Sequence, residues 1–162
     1  MACHALSVAK TMTVASAPAG YATATSPHGD SPLGILLVED EASDALLAEA
    51  ALDDADLDYE MRTLQDGQEV LPYLYRQGKY RDERRPDIMF LDLSLPTKDG
   101  FEVLADLAEQ PGRFGDLPIV ILTGDTHCAF LKQSYGLKIA AFLAKPCTAE
   151  KINAAMAAIW RQ

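Results

Sequence analysis

Ile88-Met89-Phe90-Leu91 runs without a polar break into a lone aspartate, Asp92, and apolar residues resume at Leu93 and Leu95 before Pro96. Apolarity that is continuous rather than alternating marks a strand buried on both faces, as in a parallel sheet covered by helices. A carboxylate on such a strand is costly unless it sits at the carboxyl end and is paired or metal-bound. In an open parallel sheet that end is where ligands bind. Asp92 is therefore the first candidate for chemistry, and the question is what the rest of the chain places beside it.

The chain supplies further strands of the same kind. Ile35-Leu36-Leu37-Val38 is wholly apolar and stops at Glu39-Asp40-Glu41. Tyr59 to Thr63 alternates, with Tyr59, Met61 and Thr63 set against Glu60 and Arg62. Pro118 to Thr123 is apolar up to its terminal hydroxyl, and Ala141-Phe142-Leu143-Ala144 ends at Lys145-Pro146. Helical patterns lie between them. Leu46, Leu47, Ala50 and Ala51 give a stripe on the first helix. Val70, Leu71 and Leu74 give the second, where Pro72 marks either a first turn or a kink. Asp99-Gly100 starts a third, with Phe101, Leu104, Ala105 and Ala108 on one face, ended by Pro111-Gly112. Asp125 or Thr126 caps a fourth carrying Phe130 and Leu131, and Thr148 caps a last one with Ile152, Ala155, Met156 and Ile159. The acidic run Asp53, Asp54, Asp56 and Asp58 reads as a solvated helix end, and Asp66-Gly67 as a turn. Five βα units in succession predict an α/β fold: a doubly wound, five-stranded parallel sheet with right-handed crossovers.

Residues 1–33 carry Ala, Ser, Thr and Pro but, apart from Lys10 and Asp30, no acidic residue, lysine or arginine. They read as a disordered tail, with the folded domain at 34–162. A signal peptide fits poorly, lacking an apolar core behind a basic start, and a transit peptide fits worse without arginine. The net charge of -10 argues against a nucleic-acid surface. No apolar run approaches the length of a membrane span. Cys3, Cys128 and Cys147 are scattered, which suits a reduced, cytoplasmic setting. His4, His28 and His127 form no cluster.

A parallel sheet brings its strand ends to one edge. Glu39, Asp40, Asp92, Thr123 and Lys145 would all meet there. Three carboxylates repel one another unless a cation joins them, and oxygen donors suit Mg2+. One carboxylate can then attack phosphorus, while the lysine and the hydroxyl hold the phosphoryl oxygens.

These residues resemble the receiver domains of response regulators, the CheY-like superfamily. The carriers are Leu36-Leu37-Val38-Glu39-Asp40, Leu91 to Pro96 with Asp99-Gly100, Ile121-Leu122-Thr123, and Lys145-Pro146, over about Gly34 to Trp160. The resemblance implies strand order 2-1-3-4-5 and a phosphoryl group passing to Asp92 from a histidine kinase. It implies Mg2+ held by Glu39, Asp40, Asp92 and the Ser94 main-chain carbonyl. Lys145 would bind a phosphoryl oxygen, Thr123 and Phe142 would form the switch pair, and the bond before Pro146 would be cis. Such a domain is no enzyme beyond its own phosphorylation and dephosphorylation. Leu74 to Tyr80 before Arg85-Pro86-Asp87 is similar to single-domain regulators paired with bacterial phytochromes and related sensor kinases. The basic stretch Gln77 to Pro86 reads equally as a solvated loop or a kinase-docking segment. Phe142 stands where many relatives have tyrosine, and Gly124 where alanine is common. Lys138-Ile139 replaces a frequent Gly-Ala pair, and Ser94 and Asp125 sit where the phosphoryl lifetime is tuned.

The expected function is a stand-alone phosphorylation switch. Thr123 moves toward the phosphoryl group, Phe142 fills the vacated space, and a protein-interaction surface changes. Only one helix lies beyond Lys145, so output is expected to be a homodimer, a target protein or a downstream phosphotransfer protein, with no nucleic acid and no membrane. The main alternative is a receiver-type binding module that works without phosphorylation. An aspartyl-phosphate phosphatase of the haloacid-dehalogenase type needs an acid two residues after the nucleophile, where Ser94 stands. A flavodoxin would meet repulsion between Glu39-Asp40-Glu41 and the flavin phosphate. Walker A and GxGxxG patterns are absent, and no residues remain for a helix-turn-helix.

Overall fold

The computed structural model describes residues 31–110, 112–124 and 136–160. The elements are β1 (Leu33–Val38), α1 (Ala42–Asp54), β2 (Tyr59–Leu64), α2 (Val70–Leu74), β3 (Ile88–Asp92), α3 (Gly100–Ala108), β4 (Ile119–Thr123), β5 (Ile139–Ala144) and α4 (Ala149–Trp160). The five strands are parallel, as the sequence pattern predicts, and their order β2-β1-β3-β4-β5 is the one the family resemblance implies. β1 opens at Leu33, one residue ahead of the expected boundary, and β5 opens at Ile139 rather than Ala141. The tail to residue 30, the helix expected after Asp125, and His4, His28, His127, Cys3 and Cys128 lie outside the described residues.

The period of two along each strand divides the core into two layers. Leu36, Val38, Met89, Leu91, Ile119 and Ile121 face α2 and α3. Ile35, Leu37, Ile88, Phe90, Val120 and Leu122 face α1 and α4. β1, β3 and β4 are buried throughout, so the unbroken apolar runs report two covered faces. Among the described residues no helix is long and apolar enough to cross a membrane.

Three sequence readings need correction. On α1 the buried residues are Ala48, Ala51 and Leu52, with Ala55 just beyond the helix, while Leu46 and Leu47 are 65% and 47% exposed. Small residues at i, i+3 and i+7 let the helix lie close to the sheet, which turns its large leucines outward. On α3 the buried face is Gly100, Val103, Leu104 and Leu107, so the expected stripe shares only Leu104 with it. The stretch after Gln77 is not simply polar. Tyr80, in a 3-10 turn at Gly78–Tyr80, is buried edge-on against Tyr73 at 5.3 Å and donates to Glu69 at 2.7 Å. Lys79 pairs with Glu69, Arg62 with Glu83 and Arg84 with Asp87, so this stretch spends much of its charge internally. Pro72 sits in the first turn of α2, directly after a 3-10 turn at Gly67–Glu69, where a missing N–H costs little.

Candidate functional site at the carboxyl edge of the sheet

Each strand ends where its apolar run ends, and the chemistry begins there. Glu39 follows β1 and is 1% exposed, and Asp92 closes β3 and is 3% exposed. Thr123, also buried, closes β4, and the Lys145 amide donates to the Thr123 carbonyl at 2.9 Å, fixing the step from β5 into the loop. The Lys145–Pro146 peptide bond is cis. The Lys145 ammonium reaches back over the sheet edge to Asp92 Oδ2 at 2.8 Å and Glu39 Oε2 at 2.6 Å. On its other side it meets Asp44 Oδ2 at 2.8 Å. The Ser94 amide donates to Asp92 Oδ1 at 3.0 Å, so both oxygens of Asp92 are held. Glu39 Oε1 accepts from the Glu41 amide at 3.1 Å.

The carboxylates of Glu39, Asp40 and Asp92 lie within 4.8 Å of one another, with Asp40 exposed to solvent and the other two buried. Burial pushes the Glu39 carboxyl above its ordinary value, against the lowering effect of Lys145 and the Glu41 amide, and the Asp92 charge adds to the rise. Burial alone would pull the Lys145 ammonium down, but hydrogen bonds to Asp44 and Asp92 and the close Glu39 carboxylate outweigh it and hold the proton well above the usual lysine range. Negative charge is thus in excess around this ammonium. Although Lys145 is close to Glu39 Oε2, the contact is poorly directed, and among the described residues that buried oxygen accepts no hydrogen bond. An orphaned buried oxygen, an all-oxygen donor set and surplus negative charge fit a divalent cation.

Thr123 and Phe142 lie on neighbouring strands. Phe142 pairs in register with Ile121, two residues before Thr123, and packs against the α2 and α3 side of the core. Ser94 is exposed beside Asp92.

Asp44 and Gly100 take on roles at this edge that the sequence pattern does not assign them. Asp44, in the first turn of α1, looks like any acidic residue favoured by a helix N-terminus. Gly100 starts α3 hard against the end of β3. A Cβ there would lie 2.5 Å from the Asp92 carbonyl oxygen and 2.7 Å from Leu93 Cα, so only glycine permits the approach. Its amide donates to the Leu93 carbonyl at 3.1 Å, and a capping box between Asp99 and Glu102 sets the helix start.

The opposite edge contrasts with this one. A cavity of about 420 Å³ opens there, lined by Leu33, Arg85, Asp87, Ile88, Pro118 and Trp160 among others. The cleft between Glu39, Asp44, Leu47, Lys145 and Pro146 holds only about 10 Å³.

The sequence profile of the family described as "Response regulator receiver domain" matches residues 35–157. Response regulator Rcp1 of Synechocystis sp. (strain ATCC 27184 / PCC 6803 / Kazusa) is 37% identical over 120 residues, covering 74% of this chain and 81% of Rcp1. The Mn(2+)-bound form of response regulator Rcp1 superposes with a TM-score of 0.62 at 34% identity, covering 77% of this chain and 89% of that one. The bacteriophytochrome response regulator RtBRR gives a TM-score of 0.70 at 34% identity, covering 79% of this chain and 78% of its own. The phosphorylated cyanobacterial phytochrome response regulator RcpA gives 0.63 at 32% identity, covering 78% and 89%.

Proposed function

This chain belongs to the response regulator receiver domain family, and from that premise we propose that Asp92 accepts a phosphoryl group from the phosphohistidine of a sensor histidine kinase. The observation that carries this reading is the convergence of Lys145, within 2.8 Å, on both Asp92 and Glu39, beside Asp40 in one acidic cluster. The receiver domain on this reading is the stretch expected at 34–162, which β1 enters at Leu33. Glu39, Asp40, Asp92 and the Ser94 main-chain carbonyl would hold Mg2+, which supplies positive charge to the phosphoryl oxygens. The Mn(2+)-bound form of the related Rcp1 supports a divalent cation here.

In the transfer, a carboxylate oxygen of Asp92 attacks phosphorus. The P–N bond breaks, its electron pair returns to the imidazole nitrogen of the donor, and solvent supplies that nitrogen with a proton. Lys145 and the Thr123 hydroxyl hold the oxygens of the transferred group, so catalysis is positioning and charge. Once Thr123 is drawn to the phosphoryl group, Phe142 repacks on the strand beside it and alters the surface around β5. Phenylalanine makes that response one of ring burial alone, without a phenolic hydroxyl. A protein reads the change, either a second copy of this chain or a downstream target.

The donor's docking surface lies on α1. Leu47 borders the cleft that holds Glu39, Asp44 and Lys145, and Leu46 beside it is more exposed still. Large apolar side chains at the mouth of a charged site suit a protein donor that must deliver a phosphohistidine. The phytochrome-linked relatives favour a phytochrome-like sensor kinase as that donor.

The test is labelling by a phosphorylated kinase domain, and by acetyl phosphate, with Mg2+ present. Wild-type protein should acquire a base-labile acyl phosphate. Equal labelling of Asp92→Asn would overturn the assignment.

A further inference from the structure

Lysine has three N–H donors, and three carboxylates lie within 2.8 Å of the Lys145 nitrogen. Two of them, Glu39 and Asp92, also belong to the acidic cluster that with Asp40 would take a divalent cation. Asp44 does not belong to it. A cation entering that cluster and the ammonium therefore compete for the same two carboxylates, and as like charges they repel. Asp44 is the acceptor that can stay with the lysine.

We propose that Asp44 is a positioning residue for Lys145: it keeps the ammonium on the α1 side of the site when a divalent cation takes up Glu39 and Asp92, and so reduces the competition that the cation meets. The inference rests on the reading that Glu39, Asp40 and Asp92 hold such a cation. The placement suits the role. Asp44 lies in the first turn of α1, where the helix N-terminus favours a carboxylate whether or not the ammonium is near. Leu47 and Pro146 wall the same narrow cleft, which limits the directions the ammonium can take. The Asp44 side chain is 34% exposed, so its replacement leaves the core undisturbed.

Calorimetric titration of the full chain with MgCl2 alone tests this in four forms: wild type, Asp44→Asn, Lys145→Met and the double variant. With Lys145 present, Asp44→Asn should weaken Mg2+ binding roughly 3–10-fold, the coupling expected of groups in contact. With methionine at 145 the same change should cost less than about twofold, because no ammonium remains to be held aside. Asp44→Ser replaces Asp44→Asn should the amide disturb the first turn of α1. Equal weakening in both backgrounds would show Asp44 acting on the cation through its own charge and would overturn the proposal. So would no weakening in either, or a wild type that binds no Mg2+. Phosphoryl acceptance is read separately. A wild type with the expected coupling that takes no label at Asp92 would sink the preceding reading and leave this one standing.

Discussion

Two aspartates bracket β3, and the local sequence treats them alike. Asp87 precedes the apolar run and Asp92 closes it. At the amino edge, Asp87 Oδ2 accepts from the Gly34 amide at 2.7 Å and pairs with Arg84 at 3.0 Å, while Arg84 also donates to the Pro32 carbonyl. At the carboxyl edge, Asp92 shares one lysine with Glu39 and Asp44 and lies in a cluster with Asp40. Asp87 ties the start of β1 to the loop before β3, using a cation and a main-chain donor. Asp92 is one of several carboxylates crowded around one ammonium. A buried aspartate is structural where donors match it, and chemical where acceptors outnumber them. Cavity size points the wrong way, since the large hollow lies at the Asp87 end.

The sharpest break of this comparison is Asp92→Asn. Labelling by acetyl phosphate or a phosphorylated kinase domain should fall to background. Stability measured by urea should change less than it does for Asp87→Ala, because removing one of several mutually repelling carboxylates offsets the lost contact with Lys145. An Asp92→Asn protein less stable than Asp87→Ala would erase the distinction.

The second largest effect is expected from Lys145→Met. Removing the ammonium leaves Glu39 and Asp92 buried without a cation. Loss of one partner of a buried pair costs about 3–5 kcal/mol, and roughly 2–4 is expected here because Lys145 is partly exposed. Millimolar MgCl2 should restore most of that loss, since a bound cation stabilises the folded state by mass action. Chelation with EDTA should remove the recovery. A variant as stable as wild type without Mg2+ would mean that the carboxylates at this edge do not depend on the lysine.

Asp87→Ala is the counterpart at the other end. It strips the Gly34 amide of its acceptor and Arg84 of its nearest carboxylate, a cost of about 1–3 kcal/mol for a group left unsatisfied. Urea midpoints should fall accordingly, while the rate of Asp92 labelling stays within about twofold, as sites this far apart act independently. Slowed labelling would show that the two ends of β3 are coupled.

How much of this was legible before the structure depends on whether a residue's signal is carried by its own segment. The parallel sheet and the strand-end residues are legible because continuous apolar runs and abrupt charges are local features, whereas the strand order comes only with the family resemblance. The face of α1 was misread because Leu46 and Leu47 outweigh the alanines in apolarity, although the alanines are what fit against the sheet. Tyr80 was hidden in a charged stretch whose Lys79, Glu83 and Arg84 are spent on Glu69, Arg62 and Asp87, partners distant or unremarkable in sequence. Asp44 was hidden because its partner lies 101 residues away. The local sequence marks Gly100 as a helix start, and the close approach that requires glycine exists only once α3 is folded onto β3.

The smallest expected effect belongs to the Asp87 end. The Tyr73 hydroxyl donates to the carbonyl of Arg84, the residue paired with Asp87, at 3.1 Å. Burial pushes the Tyr73 phenol up to about 12, and the Glu83 charge adds to the rise. Tyr73→Phe should cost about 0.5–1.5 kcal/mol at neutral pH, the net worth of one hydrogen bond. A phenol with a raised folded-state value gives its full contribution below the ordinary tyrosine value of about 10 and loses it as pH rises toward the folded value, because the unfolded chain ionises first. The phenylalanine variant lacks that loss at this position. The stability gap between the two proteins should therefore be constant up to about pH 9 and close between about pH 10 and 11, while Mg2+ binding at the Asp92 end is the same for both at neutral pH. A gap that widens with alkali would place the Tyr73 hydroxyl in an environment favouring its anion, and the Asp87 end would then lose its description as a neutral, donor-matched anchor.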